Sequence, residues 1–289
     1  MKLIITTFFL IHIFAIPAAM AEDQTEDLRS AVQQKNSWQM LAGGLELGVF
    51  QAPLLSEIGD SLIRVLRIDP RHYTFRLLNA SASETGRALS AKEWCRQHGL
   101  VAAINASMYQ EDYKTSVSMM RTKDHINNSR MSKDMTVLAF ERLVRDVPAV
   151  KIIDRQCEDF KNWKTKYGTL IQSIRMISCT GENVWRQQSQ KWSTAAIGTD
   201  RQDRVLFIHA GSPFSTHDLI DILKLLPLNI ARAMYAEGGP QAQLYIKADG
   251  HEHEFVGGYE LPLSQDSNSL FSWPIPNVVG ISLTNASVN

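Results

Sequence analysis

The stretch richest in chemical options is Arg232-Ala-Met-Tyr-Ala-Glu-Gly-Gly-Pro240. An apolar run carries the Glu237 carboxyl to a strand end, and Gly238-Gly239 allows backbone to approach a ligand closely there. A hairpin turn with an exposed glutamate would use the same glycine pair. A second apolar run, 101–104, ends in Asn105-Ala106-Ser107. Small and polar residues at a strand end suit a pocket floor, and they equally suit an Asx turn that caps the strand. Trp192–Asp200 supplies Asp200 as a second carboxylate or as a turn residue before the next strand.

Two other groupings imitate active sites. Ser212, His217 and Asp218 have the residue types of a hydrolase triad. His217 and Asp218 are adjacent at a helix start, however, no G-x-S-x-G is present, and Ser215 with Asp218 already reads as a cap. His251-Glu-His-Glu254 has metal-ligand types, but alternation along a strand or loop puts only two of the four on each side. A solvated hairpin tip is the better reading. These residue types demand no metal or cofactor.

Short β-rich runs must position these residues. They fall at 45–50, 62–68, 73–78, 100–104, 136–140, 150–153, 195–198, 205–209, 233–236, 243–246 and 278–283. Helices are fewer. Ser90 with Glu93 forms a capping-box pattern that Gly99 ends, and Ser215 with Asp218 starts an apolar stripe that runs to Pro227. A third, weaker helix is expected over 157–167. Many strands and two or three helices predict an α+β fold: one domain with a large mixed β-sheet core. The expected organisation is 1–21 signal peptide, 22–39 polar segment and 40–289 folded domain.

Residues 1–21 begin with Lys2, continue through an apolar run and end in Ala19-Met20-Ala21. That is the plan of a secretory signal peptide, and the run is short for a spanning helix of about 20 residues. The chain is therefore expected to be exported, periplasmic or extracellular, with no membrane span after cleavage. Its 30 Lys plus Arg balance 30 Asp plus Glu, which argues against nucleic acid as a partner. Export permits disulfides, and Cys157 with Cys179 is the expected pair, leaving Cys95 as a buried thiol. Asn79, Asn105, Asn127 and Asn285 begin N-x-S sequons.

Asn-Ala-Ser-Met-Tyr at 105–109, Ala-Ala-Ile-Gly at 195–198 and Met-Tyr-Ala-Glu-Gly-Gly-Pro at 234–240 together resemble the phosphodiester glycosidase family. The resemblance covers roughly 60–283, from Arg67-Ile-Asp-Pro70 to Trp273-Pro-Ile-Pro-Asn-Val-Val-Gly280. The departures are specific. Glu237 replaces the family's Asp, Gln241 its Ser, Ser107 a Gly, Ser193-Thr194 an Arg position, and Ile174-Arg175 a Gly-Pro.

The resemblance implies a hydrolase that cleaves a sugar-1-phosphate diester at the anomeric carbon. In that reading Glu237 stabilises or attacks an oxocarbenium-like centre. Asn105 holds a sugar hydroxyl or phosphate oxygen, and Asp200 is the second carboxylate. Ser107 lies in the substrate pocket. Backbone N–H groups near Gly238 and Gly239, with Arg175 and Arg232, receive the phosphate. A non-catalytic protein that binds glycan or cell wall through the same pocket is the alternative.

Overall fold

A computed structural model describes residues 37–258 and 272–284. The signal-peptide reading of 1–21 and the sequon at Asn285 lie outside these residues. Strands β1 (Ser37–Ala42), β2 (Leu45–Gln51), β3 (Leu62–Ile68) and β4 (Tyr73–Asn79) precede helix α1 (Ala91–His98) and strand β5 (Ala102–Asn105). Strands β6 (Met120–Arg121), β7 (Ile126–Asn128), β8 (Thr136–Arg142) and β9 (Val150–Asp154) follow. After a one-turn helix α2 (Phe160–Trp163) come β10 (Tyr167–Ser173), β11 (Arg175–Ile177), β12 (Trp192–Asp200) and β13 (Val205–Phe214). Helix α3 (Thr216–Leu225) leads to β14 (Ile230–Gly238), β15 (Gln243–Ala248), β16 (His251–Val256) and β17 (Asn277–Leu283).

The class is α+β in a single domain, as expected. Its core is shared by three sheets, ordered β1-β2-β3-β13-β12-β14-β11, β7-β6-β10-β8-β9 and β16-β15-β5-β17-β4. Every pairing between these strands is antiparallel. Parallel neighbours would need long crossovers, and most sequential strands here are joined by short turns.

The main core forms where the three sheets meet, with Leu66, Ile104, Phe140, Ile171, Ile197, Phe207 and Val279 among its residues. Helix α3 covers the other face of the seven-stranded sheet: Leu219, Ile220 and Leu223 pack with Ala196, Ile208 and Ala210. Both faces of β12 are thus buried. This explains why its residues are small and apolar rather than alternating with polar ones.

The helix ends follow the sequence signals. Ser90 and Glu93 make both halves of the capping box on α1, and Gly99 stops it in the left-handed conformation, φ 61°. Ser215 caps α3 through Asp218 N–H. Helix α2 is shorter than the expected 157–167 because Asp159 caps it late and Lys166 turns into β10. His251–Val256 is a strand, not a loop tip. Its glutamates face Lys92 and its two histidines stack on each other. Cys157 and Cys179 form a disulfide, and Cys95 is free and buried. Burial pushes the Cys95 thiol far above its ordinary range. The sequon residues Asn79 and Asn105 are buried and hydrogen-bonded, which leaves no room for a glycan.

Candidate active site

Glu237 is the penultimate residue of β14, at the seam between two sheets. The chain leaves the seven-stranded sheet at Gly238, makes one 3-10 turn over Gly239–Gln241 and enters β15 of a five-stranded sheet. A bulge aims the glutamate. Ala195 pairs with Glu237 but Ala196 pairs with Tyr235, so Ala236 is an extra residue on β14. Without it, strict alternation would put Glu237 on the face of Tyr235, against α3. With it, Glu237 stands opposite the main-core residue Ala195, at the seam.

The two glycines have separate reasons. A Cβ at Gly238 would collide with the Tyr235 hydroxyl and the Trp192 indole, so only glycine passes there. Gly239 has φ 66°, the left-handed turn that redirects the chain into β15. Beside Gly238, Trp192 Nε1 and Thr194 Oγ1 are buried without a hydrogen-bond partner.

The glutamate carboxyl accepts one hydrogen bond, from Gly238 N–H at 3.0 Å. Burial pushes its pKa from 4.5 up to about 7, opposed only by that N–H. Neither a cation nor a second carboxylate contributes to the shift. Tyr109 is the aromatic neighbour. Its hydroxyl is pushed up to about 12, mainly by burial and then by the Glu237 charge and by Tyr113.

Asn105 ends β5 and is buried, but its side chain serves the backbone. Its Oδ1 accepts from Gln243 N–H at 2.7 Å, and its Nδ2 donates to Gln241 C=O at 2.9 Å. It clamps both ends of the turn that follows Glu237. The expectation that Asn105 meets substrate gives way to a positioning role. Ser107 lies buried behind the site. Its hydroxyl points toward Gln172 C=O and Ser173 Oγ, both at 3.4 Å, and Ser173 Oγ donates to Tyr235 C=O.

Three expected residues lie elsewhere. Asp200 ends β12 five residues from Ala195, roughly 17 Å along the strand. There it accepts from Gln202 N–H and Arg204 N–H and pairs with the Arg204 guanidinium at 2.7 Å. Arg175 is held by Asp154 at 3.0 Å and by Gln156. Arg232 is held by Glu158 and by Ile152 C=O. Both guanidinium groups reach toward β9, and although Arg232 shares a sheet face with Glu237, it pairs with Thr199, four positions and roughly 13 Å along β12 from the partner of the glutamate. Ser212 bonds Asp60 and Ser61 N–H rather than His217, which contacts Asp218 and Asp221. A cleft of about 950 Å³ opens between Tyr73, Phe140, Arg142 and Arg204 at the Asp200 end of the fold, remote from Glu237.

Comparison with known proteins assigns the family and the fold. The phosphodiester glycosidase family model matches residues 98–282, from the end of α1 to β17, and the chain belongs to that family. Among solved structures it is similar to the zebrafish N-acetylglucosamine-1-phosphodiester α-N-acetylglucosaminidase catalytic domain, auto-inhibited by its pro-peptide. The TM-score is 0.58 and the identity 11%, over 86% of each chain. A hypothetical protein from Synechocystis is similar with TM-score 0.54 and 12% identity, over 84% of this chain and 63% of that one. At these identities the likeness is one of fold. A search of curated proteins finds no match.

Two measurements test the geometry. Asn105→Ala leaves a buried N–H and a half-buried C=O unpaired, and chemical denaturation should register a loss of about 2–3 kcal/mol. Between pH 4.5 and about 7, folded Glu237 holds a proton that the unfolded chain has released. Raising the pH through this window therefore works against the fold, by up to about 1.4 kcal/mol per pH unit. Glu237→Gln should remove this dependence, so the variant melts higher than wild type at pH 8 and no higher at pH 4. Parallel melting curves for the two proteins would contradict the burial of the carboxyl.

Proposed function

We propose that the protein is an exported hydrolase that cleaves a glycosyl phosphodiester at the anomeric carbon, with Glu237 as its reacting carboxylate. The observation that carries this reading is the isolated, desolvated carboxyl that a β-bulge aims into the seam. In a low-dielectric setting a carboxylate stabilises an oxocarbenium-like centre far more than it would in water. One carboxylate is enough for this leaving group. A phosphate, with a second pKa near 6, departs without the general acid that an alkoxide needs. As the C1–O bond breaks, its electron pair goes to the phosphate; the oxygen of a water molecule then bonds to C1, and the proton it releases is taken up by Glu237 or the departing phosphate.

Arg175 and Arg232 are engaged elsewhere, so phosphate oxygens depend on neutral donors. With the Gly238 N–H given to Glu237, the unpartnered Trp192 Nε1 and Thr194 Oγ1 are the groups at hand. The withdrawal of both arginines also favours the second reading, a non-catalytic glycan-binding member of the family.

Turnover of a synthetic N-acetylglucosamine-1-phosphodiester separates the two readings. Glu237→Gln should lower kcat by about 10²–10³. Wild-type kcat/KM should climb with pH to a plateau above about 7, where the carboxylate is ionised. Equal turnover by both proteins removes Glu237 from the mechanism; binding without turnover establishes the non-catalytic reading. Export has its own test: amino-terminal sequencing of the mature protein should begin at Glu22, and a chain retaining Met1 would refute it.

A further inference from the structure

The segment between β5 and β6 presents an exposed aromatic ring beside the candidate site. Tyr109 and Ser116 form a bridge, and the loop between them carries Tyr113 at its tip. The Tyr113 side chain is unusually open, with 67% of its surface exposed. Its ring lies 5.8 Å from that of Tyr109, tilted by 46°. Tyr109 lies four residues beyond Asn105, whose amide holds the turn after Glu237, and it feels the Glu237 charge. The two rings therefore run outward from the carboxyl toward solvent.

This loop is built rather than slack. Tyr113 has φ 55°, a conformation that disfavours a bulky side chain by about 1–2 kcal/mol. The chain is held there from all sides. Asp112 accepts from Lys114 N–H, Thr115 N–H and the Thr115 hydroxyl, and Tyr113 N–H bonds Gln110 C=O. Asn127 and Asn277 both donate to Lys114 C=O, while Asn127 also accepts from Ser116 N–H. Strain kept at an exposed tip by so many bonds needs a reason outside folding. A ring fixed in advance loses little entropy when a ligand stacks on it.

We infer that Tyr113, backed by Tyr109, forms an aromatic wall on which the sugar ring of the substrate stacks through its C–H face. The inference rests on the glycoside-cleaving reading of the same site. It makes Tyr113 a binding residue, acting through its ring and not its hydroxyl. Asparagine tolerates the left-handed conformation, so Tyr113→Asn removes the ring without disturbing the loop. With the N-acetylglucosamine-1-phosphodiester, Tyr113→Asn should raise KM about tenfold and leave kcat within about twofold, and Tyr113→Phe should behave as wild type. Thermal stability of the Asn variant should be unchanged or higher, whereas a purely structural tyrosine would lower it.

An unchanged KM in Tyr113→Asn overturns the wall and leaves the role of Glu237 intact. Damage from Tyr113→Phe equal to that from Tyr113→Asn overturns it too, by making the hydroxyl the active group. A second probe works without turnover: titration of Glu237→Gln, labelled with ¹³C in its tyrosine rings, with methyl N-acetylglucosaminide, a neutral sugar. Shifts at the Tyr109 and Tyr113 rings support the stacking surface even where no phosphodiester is cleaved. Absence of shifts at saturating sugar overturns it.

Discussion

A carboxyl group largely withdrawn from water and given a single backbone N–H is an expensive thing for a fold to hold, and several features of the structure serve to hold it. Desolvation of an anion disfavours the charged form, and Glu237 responds with a pKa near neutrality. Keeping that side chain at the seam requires the extra Ala236 in β14, a glycine at 238 and a left-handed glycine at 239. It also requires Asn105, whose amide spans the turn from Gln241 to Gln243. The clamp ties β5 to the turn that carries the chain from β14 into β15.

Charge is distributed to suit this arrangement. The arginines that might have neutralised the glutamate are bound to partners along other strands. Arg175 is on Asp154, Arg232 on Glu158 and Arg204 on Asp200. Around Asp154 these bonds also connect to the disulfide, since Cys179 N–H donates to the Asp154 carboxylate that Arg175 grips. Ion pairs of this kind, half-buried and multiply bonded, gather the polar chemistry at one side of the core. The glutamate is left among rings and backbone, and that environment is what raises its pKa.

Local signals proved readable where the physics is local. The caps of α1 and α3, the strand ends at Asn105 and Glu237, and the Cys157–Cys179 pair depend on neighbours in sequence or on the few partners available. The arginines were not readable in the same way. The one-residue bulge puts Arg232 on the face of Glu237, yet Arg232 stands four β12 positions away and finds Ile152 C=O and Glu158 at hand. Asp200 offered a carboxylate of the right type, but its partner Arg204 lies only four residues on, and a turn absorbed it. The role of Asn105 hinged on Gln241 and Gln243, 136 and 138 residues away, which no periodicity reveals. Tyr113 left one trace, an aspartate just before it that can fold a short loop. Its left-handed backbone and its contact with Tyr109 belong to a loop that Asn127 and Asn277 hold from distant parts of the chain.

Stability and chemistry meet in one ionisation. As pH rises toward neutrality the glutamate loses its proton, and the fold loses the benefit of a neutral buried group. The same event creates the charge that an electron-poor anomeric carbon would need. A glutamate paired with Arg175 or Arg232 would be ionised at much lower pH and would strain the fold less. Its charge would then already be spent on the guanidinium, leaving less for a developing cation in the substrate. Under the proposed function, an unpaired carboxyl near neutral pKa is the arrangement in which the substrate itself becomes the missing counter-charge. This accounts for a site that keeps its arginines at a distance although two lie on the very strands that build it.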